Sequence, residues 1–150
     1  MFVFQINMRI RSLILHDGGL YTPKTMQRDP WRGGLSLFNS GRFFDAHEAL
    51  EDVWREAPRH SRLRRHLQGL VQLAVAFHHQ STGNLVGAQS VLERALRNLA
   101  GAKDCFPEVD WEGLRIKLKP WRAYLAEARH TPAGSSPPVL PKVLLQKRTR

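Results

Sequence analysis

From Trp31 to Ala128 the apolar residues recur at helical spacing, and no stretch alternates with the two-residue period of a strand. That pattern confines the chain to an all-α fold. A short amphipathic helix carries Leu35, Leu37 and Phe38 and stops at Asn39-Ser40-Gly41, residues that tolerate a left-handed C-cap. The second runs from about Phe43 to Ala57, with Phe43, Ala46, Leu50, Val53 and Ala57 on one face, and Pro58 ends it. Ser61 is a suitable N-cap for the third, Leu63 to about Ser81. This helix is apolar nearly all round, so it belongs in the centre. Gly83-Asn84 supplies a C-cap and then an N-cap. The fourth helix carries Leu85, Ala88, Leu92, Ala95 and Leu99 on one stripe. Asp110 caps a fifth, which Pro120 should kink or restart before Trp121, Tyr124, Leu125 and Ala128 continue it. The expected architecture is a compact bundle of about five helices.

Two segments resemble each other at an offset of 42 residues: Leu37–Trp54 and His79–Leu96. Gly41 aligns with Gly83, Phe43 with Leu85, Ala46 with Ala88, Leu50 with Leu92 and Trp54 with Leu96. Each copy is a helix end, a glycine turn and a helix with a small residue where two helices can cross closely. The bundle is therefore read as two αα-hairpins, as in tetratricopeptide-type units, although two units are few for a binding solenoid.

The segments flanking the helical region differ in composition. Residues 1–30 have no steady period and read as an N-terminal arm. Residues 131–150 are a basic, proline-containing tail that begins with a linker-like Thr131–Pro138 run. Val139, Leu140, Val143 and Leu144 form a short apolar segment there that could dock. Of the net charge of +10, residues 1–30 carry +2, residues 31–130 carry +4 and the tail carries +4. Basic tails of this kind solubilise a domain or make weak, salt-sensitive nucleic-acid contacts. A single cysteine, Cys105, excludes a disulfide framework and a cysteine-based zinc site. The start lacks a basic region ahead of its apolar residues, and no apolar run reaches membrane-spanning length. A cytoplasmic protein without membrane contact is the expectation.

The residues with chemical potential lie on the second and third helices. His47 and Glu51 are spaced i, i+4, one above the other, and Glu48 follows His47. The string resembles a zincin H-E-x-x-H with Glu in the last position, so His47 and Glu51 would be metal ligands and Glu48 a general base. Gln68 and Gln72 are also i, i+4. Counted outward from the short connection, they are level with Glu51 and His47, so the pairs could face each other between antiparallel helices. His79 falls near their stripe, about 10 Å further along the axis, while His78 points away. A hydrogen-bonded ladder of the same residues, with no metal, satisfies the pattern equally well. Trp54, one turn beyond Glu51, is a core residue or a stacking surface. Arg62, Arg64 and Arg65 form a basic cluster that is either solvated or phosphate-binding. There is no G-x-S-x-G, P-loop or G-x-G-x-x-G.

F-x-x-G-x-F-F-x-A-H-E-x-L-E-x-x-W (Phe38–Trp54), L-Q-G-L-V-Q-L-A-V-A-F-H-H (Leu67–His79) and G-N-x-x-G-A (Gly83–Ala88) occur in order and resemble the DUF309 family, a domain of unknown function. The resemblance covers about residues 31–100. It implies a compact all-helical bacterial or archaeal domain, of a kind labelled a predicted metal-dependent hydrolase. The matching positions are His47, Glu48, Glu51, Trp54, Gln68, Gln72, His78 and His79. Two functions fit. One is a metal-dependent hydrolase holding a divalent ion on His47, Glu51 and His79, with Glu48 as base. The other is a non-catalytic helical-repeat interaction module. An enzyme requires these groups to converge in a water-reachable cleft, whereas a module can satisfy them separately.

Overall fold

The computed structural model describes residues 30–128 and 136–146. The arm up to residue 29 and most of the linker-like run lie outside the described residues. Five α-helices follow in order: α1 (Pro30–Asn39), α2 (Phe43–Glu56), α3 (Arg62–Ser81), α4 (Leu85–Leu99) and α5 (Trp111–Ala128), with a single 3₁₀ turn at Ala102–Asp104. The fold is all-α. Among the described residues the only extended pairing is an isolated antiparallel bridge between Val109 and Leu145.

The two αα-hairpins share one turn geometry. Gly41 and Gly83 adopt φ of 77° and 85°, a region that favours glycine. In the first turn Arg42 N–H donates to Leu37 O and Gly41 N–H to Phe38 O. In the second, Asn84 N–H donates to His79 O and Gly83 N–H to Gln80 O. Both patterns close the orphan carbonyls of the preceding helix in the same way. Ala46 and Ala88, the aligned small residues, are both fully buried.

The expected caps form. Ser61 Oγ accepts from Arg64 N–H, Asn84 Oδ1 from Gly87 N–H and Asp110 Oδ1 from Gly113 N–H. α5 runs unbroken through Pro120, which sits on its exposed side, so the expected restart does not occur. A proline there removes one N–H and crowds the carbonyl four residues back; on the exposed side that carbonyl can tilt outward and bond water instead.

α3 is central, packed against α2 on one side and α4 on the other. Gly34 of α1 lies against the Leu50 side chain of α2, and Gly69 of α3 lies against Leu99 of α4. Phe38, Phe43, Phe77 and Trp121 form a ring cluster linking α1, α2, α3 and α5, with successive centroids 5.1–5.7 Å apart. Three of these four contacts are edge-on, a geometry that adds to the burial of the rings. Residues 139–146 do dock, but through Pro141 and Val143: Val139, Leu140 and Leu144 remain exposed. No helix among the described residues is long and apolar enough to cross a membrane.

Candidate functional site

His47 is half-buried on α2, and its Nε2 is 3.0 Å from Glu51 Oε2. The other oxygen of Glu51 accepts from Arg55 Nη2 at 2.5 Å. Glu51 is therefore engaged by a residue one turn before it and a residue one turn after it. Glu48 is half-buried one position beyond His47.

The third-helix residues divide between two sides. Gln72 accepts from Asn98 Nδ2 of α4 at 2.8 Å, and Gln68 is exposed. His79 Nδ1 is 3.3 Å from Asn84 Nδ2, at the turn into α4. The histidine that reaches α2 is His78, whose ring lies 5.4 Å from that of Phe44; Phe44 in turn lies 5.7 Å from His47. The structure thus brings together Phe44, His47 and His78. Among the described residues no hydrogen bond or ion pair joins the Gln68–Gln72 stripe to the His47–Glu51 pair.

The reason is rotational. The short connection between α2 and α3 sets the height of each residue along the bundle. Azimuth is set by which residues fill the seams on either side of α3. The close approach of Gly69 to Leu99 turns that side of the helix toward α4. At 100° per residue His78 lies about 120° from Gln72, which puts it on the α2 side.

A second polar group was not among the candidates. His66 is buried, and its Nδ1 lies 2.8 Å from Asn98 O. Asn98 thus joins His66 and Gln72 in one satisfied network between α3 and α4. The signal was present: His66 continues the Leu70, Leu73, Phe77 stripe at the same spacing, so it had to enter the core with a partner.

Two arginines of the basic cluster act as helix caps. Arg64 Nη1 donates to Ala57 O at 2.9 Å, closing the C-terminus of α2. Its guanidinium lies 4.3 Å from the centroid of the Trp54 ring, a stacking contact that gives Trp54 a structural role. Arg65 Nη2 donates to Ala100 O at 3.0 Å, beyond the end of α4. A cation at a helix C-terminus is favourable, because the unsatisfied carbonyls there carry partial negative charge.

On α2 the carboxyl of Asp52 has a displaced pKa. Burial pushes it above the ordinary range; Arg55 opposes the shift, and Glu51, Glu48 and Glu56 reinforce it. Its Oδ1 is buried without a hydrogen-bond partner among the described residues. Among the described residues no group of three or more His, Cys, Asp or Glu is arranged to hold a metal ion.

Fold and site together define a small bundle of two αα-hairpins closed by a fifth helix, with an aromatic–imidazole patch across α2 and α3. Residues 31–91 match the model of a domain of unknown function, DUF309. It is similar to an uncharacterized protein of Aquifex aeolicus (strain VF5), 33% identical over 103 residues, 69% of this chain and 28% of that protein. It is also similar to the uncharacterized protein YpuF of Bacillus subtilis (strain 168), 39% identical over 57 residues, 38% of this chain and 32% of that one. The chain spans less than a third of the length of either relative. No solved structure matches it.

Proposed function

We propose that the domain is a non-catalytic interaction module built on a pair of αα-hairpins. The observation that carries this reading is the separation of the polar residues. His47 is paired with Glu51, Gln72 with Asn98 and His79 with Asn84, at three different places in the bundle. Each group is satisfied by a near neighbour, which is what a structural role requires and what a convergent catalytic cleft would not show. The face left for a partner is the α2–α3 patch. There Phe44 is 50% exposed, with the His47 and His78 rings 5.7 and 5.4 Å from it.

The metal-dependent hydrolase reading retains one supporting observation. His47 and Glu51 do share a face, with Glu48 adjacent, so a divalent ion recruited by that pair would have two ligands and a base within reach. Melting temperatures of the wild type and of His47→Ala, each titrated with zinc, manganese and magnesium, distinguish the two. The module reading expects equal shifts in both proteins. A stabilisation of the wild type that His47→Ala abolishes overturns it.

A further inference from the structure

The C-terminal segment Val139–Gln146 is held as a bound peptide would be. Asn39, at the end of α1, grips the main chain of Val143 from both sides: Val143 N–H donates to Asn39 Oδ1 at 2.8 Å, and Asn39 Nδ2 donates to Val143 O at 3.0 Å. Upstream, Trp121 Nε1 of α5 donates to Val139 O at 2.9 Å. Downstream, Asp110 N–H donates to Leu144 O and Gln146 N–H to Glu108 O. These five bonds are made to the main chain of the segment, and one more comes from a side chain, Gln146 Nε2 to Val109 O at 3.4 Å, so the bonding recognises mainly an extended backbone. Side-chain selection rests on two inward positions, Pro141 and Val143, both buried. The outward side chains gain little from this seat: Val139 is 90% exposed, and Leu140, Leu144 and Leu145 are also exposed.

Main-chain bonds for affinity combined with pockets for alternate side chains are the physical basis of recognition by strand addition. We propose that the groove between Asn39, Val109 and Trp121 is a peptide-binding site. Its ligand is an extended segment of another protein with proline and valine two residues apart, and this chain's own Pro141-Lys142-Val143 is a tethered occupant that such a segment displaces. A short connection gives the tethered copy an effective concentration of roughly millimolar, so the site reads as closed until a competitor exceeds that level. The groove lies apart from the α2–α3 patch, so its failure leaves the module reading as it stands.

The test uses the full-length chain and a fluorescent peptide bearing residues 136–146. Val143→Asp removes the tethered occupant from its pocket. The peptide is expected to bind this variant at least about tenfold more tightly than the wild type, given that effective concentration and a peptide of intermediate affinity. Asn39→Ala added to Val143→Asp should abolish binding, because both bonds to the central residue go. A second arm does not depend on that variant folding. A protease site placed within residues 131–135 is cut, and the released tail is exchanged for the labelled peptide. The nicked protein should keep a cooperative melt after its tail is removed by gel filtration and should then take up the peptide. Loss of the cooperative melt on tail removal, or a folded nicked protein that takes up no peptide, overturns the proposal. So does a wild-type dimer that Val143→Asp dissociates, since the occupant would then be the tail of a second copy.

Discussion

If Gln72 belongs to α4's side of the bundle, its energetic partner is Asn98, and His47 should be indifferent to it. The two residues share one hydrogen bond of 2.8 Å in a partly buried setting. A neutral pair of this kind contributes about 0.5–1.5 kcal/mol net. Removing one member leaves the other short of a partner, and each single alanine variant should cost about 1–2 kcal/mol. The cleaner quantity is the coupling. Gln72→Ala, Asn98→Ala and the double variant, unfolded in urea, should show a coupling of about 0.5–1.5 kcal/mol. Asn98→Ala keeps the main-chain oxygen that bonds His66, so the cycle isolates the side-chain contact. The parallel cycle between Gln72 and His47 should close to within about 0.3–0.5 kcal/mol, the additivity expected of residues that share no partner. An additive Gln72–Asn98 cycle, or a coupled Gln72–His47 cycle, would refute the rotational assignment of α3 and restore the ladder between α2 and α3.

Gly33 and Gly34 give a paired test of the α1–α2 contact. A Cβ at Gly33 meets nothing within 4 Å, whereas one at Gly34 would sit 2.5 Å from Leu50 Cγ. Gly33→Ala should stabilise by about 0.5–1 kcal/mol through helix propensity, and Gly34→Ala should fall about 1–3 kcal/mol below it through overpacking. Equal urea midpoints for the two variants would remove the close approach from the structure. Asp52 gives a pH test. Its folded-state pKa is raised, mainly by burial. The stability it contributes is present below its unfolded-state pKa and lost as pH rises through the folded-state value. Asp52→Asn should therefore stabilise the protein at neutral pH, with an advantage that shrinks toward about pH 3. An advantage that grows toward acid would contradict the assigned direction.

What the sequence discloses here is what is decided locally. Ser61, Asn84 and Asp110 cap the helices they precede, because an N-cap is a bond between residues three apart. Gly41 and Gly83 end their helices for the same kind of reason, and their alignment at an offset of 42 is visible in the chain and repeated in the backbone. The heights of His47 and Gln72 along the bundle are also local, since loop length sets them. Their facing is not. It depends on whether Gly69 seats against Leu99, a contact across thirty residues that no periodicity within one helix reveals. His78 and His79 exchange their expected roles for that reason alone. Arg64 and Arg65 show the same limit from the other direction. Side by side in sequence they look like a basic patch, but each closes the C-terminus of a different neighbouring helix.

The two candidate surfaces differ in which part of the chain builds them. Phe44, His47 and His78 all lie within the 31–91 segment that matches the family model, and α2 and α3, which hold them, are complete within it. The side chains of that patch therefore all come from the matched segment. The tail groove is composite. Asn39 comes from the matched segment, but Trp121, the Glu108–Asp110 backbone and the seated residues 139–146 come from beyond its end at residue 91. That boundary falls within α4, so the matched segment stops before the helix that covers its aromatic cluster. Without α5 the edge of Phe77 that meets Trp121 would face water, and burial of such a ring contributes about 1.5–3 kcal/mol. α5 supplies that cover, and in doing so aims the Trp121 N–H at the tail. The groove is thus a by-product of closing the bundle, and an extension that closes it differently would present another groove, or none, beside the same α2–α3 patch.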